Sequence, residues 1–319
     1  MNKIALWTLA LAPLAAGAAA DEAYLFAYFR GERDGLHLAT SDDGLTWTAL
    51  NDNESILRPT VGQDRLMRDP SIARGPDGTF HMVWTSSWHD QIIGYASSKD
   101  LIHWSEQRAI PVMQHEPTAR NCWAPELTYD DETGDFYIYW ATTIPGRHAP
   151  IAGMDEKEKG LNHRIYLTTT KDFTTFTPTR LWFDPAFSVI DAAVVRAPRA
   201  AKKWMMVVKN ENHTPPEKNL RVTFADHLAD GFPTAVSAPI NPGPDWVEGP
   251  SPLAVGDTIF VYYDVYGRKR YGVAASTDGG RTWQDRSREL KLPKGIRHGT
   301  AFAVDRAVAD ALKKEYGAK

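Results

Sequence analysis

The stretch SDDGLTW, Ser41 to Trp47, returns far downstream as STDGGRTW, Ser276 to Trp283. Between them stand SSKDLIHW (Ser97 to Trp104), TTKDFTTF (Thr169 to Phe176) and FADHLADGF (Phe224 to Phe232), so the chain writes a polar turn with a nearby aromatic five times. Such a repeat constrains the fold strongly, because each copy belongs to a unit that must bury its apolar face against the next. Around the copies lie short runs rich in β-branched and aromatic residues: TFHMVWTSS (Thr79 to Ser87), FYIYWATT (Phe136 to Thr143), KWMMVVKN (Lys203 to Asn210) and TIFVYYDV (Thr258 to Val265). Each reads as a strand. A second run follows each, QIIGYASS, RIYLTTT, LRVTFA and RYGVAAS, and a third precedes it, RDPSIARG, WAPELTYD, IDAAVVRA and EGPSPLAV. With the turn and its aromatic, every unit has four short strands, the signature of a propeller blade.

Complete units begin at Asp69, Glu126, Asp191 and Glu248, which makes four. A fifth is split: Ala23 to Gly31 and Gly35 to Trp47 supply its outer strands, and RHGTAFAV, Arg297 to Val304, supplies the inner one. The expected fold is therefore all-β, a five-bladed β-propeller with the last blade closed by both chain termini, which leaves no free seam. Only Arg306 to Glu315 reads as helix.

Residues 1–20 have a lysine, an apolar run and a small-residue end, AAGAAA, before Asp21. That is the pattern of a signal peptide cleaved after Ala20, so residues 21–319 are expected to form a single five-bladed propeller domain exported to the periplasm or the extracellular space. Cys122 is the only cysteine, which rules out an intrachain disulfide. The formal charge of −4 comes without a basic stripe, against a nucleic-acid partner, and no further stretch is apolar enough to span a membrane. Eleven tryptophans suit a carbohydrate partner.

In a propeller the inner strands line a central channel and start at one of its mouths. The residues expected there are Asp69, Glu126, Asp191, Glu248 and His298, four of them carboxylates. Acids converging on one axis repel and perturb one another, an arrangement that proteins hold mainly at a site.

The motifs RDPSI, WAPEL, VIDAAVV and VEGPSPL, closed by RHGT, resemble those of glycoside hydrolase family 43, whose members are five-bladed propellers; the likeness runs from about Ala23 to Val304. The resemblance implies an inverting mechanism with Asp69 as general base, Glu248 as general acid and Asp191 as the third acid, which raises the pKa of Glu248 and orients it. The chain departs from the family pattern at Glu126, where Asp is usual, and at Ala192, where Pro is usual. Trp88 and Trp123 are candidate sugar platforms at the mouth, and Glu126, Arg297 and His298 candidate polar contacts. The resemblance also places a histidine on the channel axis, in some relatives beside a calcium ion. The sequence has no HExxH pair, cysteine cluster or EF-hand loop, so no cofactor is expected to be required, a structural calcium in the channel being the one ion left open. The charge run Gly153 to Gly160 lies in a long excursion between strands and reads first as a solvated loop; placed at the channel mouth, such a loop would wall off one side of the pocket and favour exo action.

The function expected from this reading is a secreted glycosidase that removes terminal sugars from plant-type polysaccharide or oligosaccharide side chains, first as an α-L-arabinofuranosidase. The alternatives are a β-xylosidase or β-galactosidase of the same family, or a carbohydrate-binding propeller without catalysis.

Overall fold

In a computed structural model of the chain, which describes residues 21–149 and 160–317, nineteen strands form five sheets. Residues 1–20, read above as a signal peptide, and nearly all of the Gly153 to Gly160 charge run lie outside the described residues. Strands β1 (Glu22–Tyr28), β2 (His37–Ser41) and β3 (Thr48–Ala49) open the chain. The first whole blade comprises β4 (Arg68–Arg74), β5 (Phe80–Thr85), β6 (Ile93–Ser98) and β7 (Arg108–Ile110). The second comprises β8 (Trp123–Asp130), β9 (Asp135–Thr142), β10 (Arg164–Thr170) and β11 (Arg180–Phe183). The third comprises β12 (Val189–Arg196), β13 (Trp204–Asn210) and β14 (Asn219–Ala225), and the fourth β15 (Glu248–Val255), β16 (Thr258–Val265), β17 (Arg270–Ser276) and β18 (Gln284–Asp285). Strand β19 (Gly299–Asp305) then pairs with β1, giving a closing sheet in the order β19-β1-β2-β3. The inner strands β4, β8, β12, β15 and β19 touch in sequence and β19 returns to β4, which closes the ring.

The third blade corrects the expectation of four strands per unit: among the described residues it has three. The segment after β14 runs beside it with only scattered backbone bonds, Ser237 N–H to Val222 O and Ile240 N–H to Leu220 O. Pro233 precedes these contacts and Pro239 falls between them, and proline has no N–H to offer a ladder.

Each gap between blades holds one apolar cluster. On β1 the alternation of a strand sends Ala23, Leu25 and Ala27 to the first blade and Tyr24, Phe26 and Tyr28 to the fourth, so both faces are buried. Gly94 leaves room for the indole of Trp84 across the ladder, where a Cβ would come within 2.0 Å of the ring. A helix, α1 (Arg306–Tyr316), covers the gap between the fifth and first blades with Ala309 and Leu312.

Four of the five polar turns share one bonding pattern. Ser41 Oγ accepts the N–H of Gly44, Asp43 Oδ1 accepts those of Leu45 and Thr46, and Trp47 Nε1 donates to Gly44 O. Ser276, Asp278, Gly280 and Trp283 repeat it, and Ser98 with Asp100 and Thr170 with Asp172 repeat its core. Each lies between the third and fourth strands of its blade, at the end away from the acids. In the fifth copy Asp226 binds Lys202 instead, and this is the blade without an outer strand. The turns are scaffold: each ties a strand end by satisfying three backbone N–H groups.

Candidate active site

The inner strands of the first four blades all carry a β-bulge near the start: the register slips between Arg68 and Ser71, Trp123 and Glu126, Ile190 and Ala193, and Glu248 and Ser251. One residue in each slip has left-handed backbone: Asp69 (φ 53°), Ala124 (45°), Asp191 (50°) and Gly249 (61°). Proline follows three of them, where the broken ladder calls for no donor, and Ala192 follows the other. A left-handed residue other than glycine is strained by about 1 kcal/mol or more, and two of the three here are the candidate acids Asp69 and Asp191. The bulges fix the correspondence between blades. Asp69 and Asp191 occupy equivalent positions, Glu248 stands one residue earlier, and Glu126 stands two residues later, level with Ser71 and Ser251.

That offset separates the acids into layers. Glu126 is buried, and both its oxygens are taken by hydroxyl donors, Ser71 Oγ at 2.6 Å and Thr300 Oγ1 at 2.9 Å. Burial is the main reason that its pKa rises to about 7, with the nearby Asp69 adding to it. It ties three inner strands together inside the channel.

Nearer the mouth, Asp69 Oδ1 lies 3.2 Å from His298 Nδ1, and its Oδ2 accepts the hydroxyl of Thr85 at 2.8 Å. Burial alone would raise the Asp69 pKa, but the His298 imidazolium, Arg68 and the Thr85 hydroxyl bring it down to about 2. His298 is pushed the other way: burial opposes its charge, yet Asp69 and Asp191 raise it to about 9. The pair is thus a buried carboxylate and imidazolium. Asp191 accepts the N–H of Gly249 at 2.9 Å, which ties it to the backbone beside Glu248. Burial lifts Asp191 to about 6, against His298 and Lys209 and with help from Glu248 and Asp69.

Glu248 is partly exposed and faces two cations, Lys209 Nζ and Arg297 Nη2, each 3.4 Å from a carboxylate oxygen. Arg297 is anchored by Asp264 at 2.5 Å, and Asp264 is the cross-strand partner of Glu248. Lys209 is buried and also binds Glu211 at 2.7 Å, and Glu211 binds Lys218 at 2.6 Å. Burial works against the Lys209 charge, but Glu211, Glu248 and Asp191 together hold it protonated. On the opposite wall, Trp88 and Trp123 meet edge to face at 5.8 Å, with Trp123 Nε1 donating to Trp88 O at 2.9 Å. The Arg68 guanidinium sits between the rings of Trp88 and Phe29, 4.6 and 4.7 Å from their centres.

The structure therefore gathers Asp69, Asp191, Glu248, Arg297 and His298 around one mouth, with Trp88 and Trp123 beside Arg68, and sets Glu126 deeper. Arg68, Lys209, Glu211 and Asp264 are not singled out by the sequence reading. Lys209 carries a signal that could have found it, a lysine ending the apolar run Trp204 to Val208 on a buried strand. Among the described residues no group of three or more His, Cys, Asp or Glu side chains is placed to hold a metal ion, and the group beside Asp69 is His298.

Two expected results follow from this geometry. A Cβ on Gly249 would lie 2.5 Å from the His298 ring, at a backbone angle that alanine disfavours. Gly249→Ala should lose about 3 kcal/mol of stability and nearly all activity, whereas an unchanged melting temperature would mean that His298 is not packed there. The second concerns pH. An Asp69 pKa depressed to about 2 adds stability above the ordinary value of 3.8 that is lost as pH falls through 2. A His298 pKa raised from 6.5 to about 9 adds stability present below 6.5 and lost as pH rises through 9. The melting temperature should fall between pH 7 and 9, and His298→Gln should flatten that slope; an equally steep slope in the variant would refute the imidazolium.

Fold and site together define a class: a five-bladed propeller with three carboxylates and a buried imidazolium at one mouth of its channel. The chain belongs to a family related to glycoside hydrolase family 43, described as a probable glycosyl hydrolase domain and matched over residues 20–310. The α-L-arabinofuranosidase of Bifidobacterium longum subsp. longum is 22% identical over 183 residues, 51% of this chain and 17% of that protein, so the chain spans under a fifth of that relative's length. Among solved structures, an α-L-arabinofuranosidase from Lactobacillus brevis superposes with a TM-score of 0.51 at 18% identity, over 69% of this chain and 72% of the other. A β-1,3-galactosidase of family 43 gives 0.51 at 12% identity, over 72% and 79%. At these identities the likeness is one of fold.

Proposed function

We propose that this chain is an exo-acting, inverting glycosidase that removes terminal sugars from plant-type polysaccharide or oligosaccharide side chains, with α-L-arabinofuranosidase as the reading to test first. The observation that carries it is the pairing of an ionised Asp69 on one inner-strand bulge with Glu248 beside Asp191 across the channel. Asp69 takes a proton from a water molecule as that water attacks the anomeric carbon, and Glu248 gives its proton to the leaving oxygen on the opposite face. The step ends with Asp69 protonated and Glu248 ionised, and solvent restores both.

Asp191 orients Glu248 through the Gly249 N–H, and His298 keeps Asp69 ionised while remaining buried. Lys209 and Arg297 fix where the Glu248 carboxyl points. Trp88 and Trp123 offer ring faces and edges for a sugar. With the export expected from residues 1–20, the reaction takes place in the periplasm or outside the cell.

The purified protein assayed on aryl α-L-arabinofuranoside, β-xyloside and β-galactoside tests the reading. Turnover of the arabinofuranoside above the other two is expected. Silence on all three, with sugar binding intact, favours a carbohydrate-binding propeller instead.

A further inference from the structure

A cavity of about 560 Å³ opens between the fourth and fifth blades, lined by Arg30, Lys269, Arg270, Lys294, Arg297 and a single acid, Asp264. In a chain of net charge −4, five cations around one cavity call for a reason. Two are already neutralised, Arg297 by Asp264 and Arg270 by Asp245 at 3.0 Å. Among the described residues Arg30, Lys269 and Lys294 have no carboxylate partner; Arg30 only donates to the carbonyl of Asn53. The Tyr271 hydroxyl, on the same wall, is buried without a hydrogen-bond partner.

The cavity adjoins the catalytic acid. Arg297 is shared between them, 3.4 Å from Glu248. Tyr266 lines the cavity and lies 5.0 Å from Lys209 Nζ, which is 3.4 Å from the other Glu248 oxygen. Beyond Tyr266, at 6.4 Å between ring centres, stands Trp246, 40% exposed, one of two large hydrophobic residues left exposed among those described. An exposed indole suits the apolar face of a sugar ring, and clustered unpaired cations suit an anion.

We propose that this cavity is a subsite for an anionic sugar, bearing a carboxylate or a sulfate ester, in the leaving-group part of the substrate. A general acid stands next to the leaving oxygen, so a cavity opening beside Glu248 receives what departs. This rests on the role proposed for Glu248, but the site binds whether or not the chain hydrolyses.

Binding is measured by titration calorimetry on the wild-type protein at low salt, with methyl β-glucuronide, glucose 6-sulfate and, as the neutral control, methyl β-glucoside. At least one anionic sugar should bind about tenfold more tightly than the control, and raising the salt should erase the difference. The tighter of the two names the natural anion. The double variant Lys269→Gln/Lys294→Gln should weaken that binding about fivefold or more while leaving turnover of a neutral aryl glycoside unchanged. Equal affinity for all three sugars, or an unaltered affinity in the double variant, overturns the proposal. Anion binding by a protein inactive on every aryl glycoside would sink the hydrolase reading and leave the subsite standing.

Discussion

Glu248→Gln is expected to lower kcat by about 10²–10⁴ on a glycoside with a poor leaving group, and by far less on a dinitrophenyl glycoside. The contrast arises because a glutamine keeps the size of the side chain but has no proton to give. An alkoxide or sugar leaving oxygen needs that proton in the transition state, whereas a dinitrophenolate departs without it. Lys209 retains Glu211 and Arg297 retains Asp264 in the variant, so the surrounding charges stay compensated. A loss of the same size on both substrates would remove Glu248 from the role of acid.

Asp69→Asn should behave differently in two respects. Its activity should fall about 10²–10⁴-fold whatever the leaving group, since the base acts on water. Its stability should fall as well, by about 3 kcal/mol, because the buried imidazolium of His298 loses the carboxylate 3.2 Å away. Asp191 stays near His298 and moderates that loss. Adding His298→Gln removes the stranded charge, so the double variant should regain part of the melting temperature and none of the activity. Recovery of both together would make Asp69 a structural partner of His298 and leave the base unassigned.

The ring was legible before the structure. Five polar turns set the unit, and the split fifth unit required β19 to meet β1, as it does from Glu22 opposite Asp305 to Tyr28 opposite Gly299. The missing outer strand of the third blade was less legible, although Pro233 and Pro239 are in plain view, because the turn-like stretch Phe224 to Phe232 still resembles the other copies. Depth within the channel was not legible at all. Asp69, Glu126, Asp191 and Glu248 read alike as acids at strand starts, but a bulge inserts a residue without leaving a mark in the periodicity, and it separates Glu126 from the mouth. The cationic cavity was hidden for another reason: Arg30, Lys269, Arg270, Lys294 and Arg297 come from three distant segments, so no basic stretch announces it.

Asp69 and Glu248 acting from opposite faces of the sugar require a single displacement, and the anomeric configuration of the first-formed product reports it. Proton NMR of an aryl α-L-arabinofuranoside during the first minutes of hydrolysis, before mutarotation, should show β-L-arabinofuranose appearing first. Initial release of the α-anomer would mean net retention, and would contradict the assignment of Asp69 as a base acting on water.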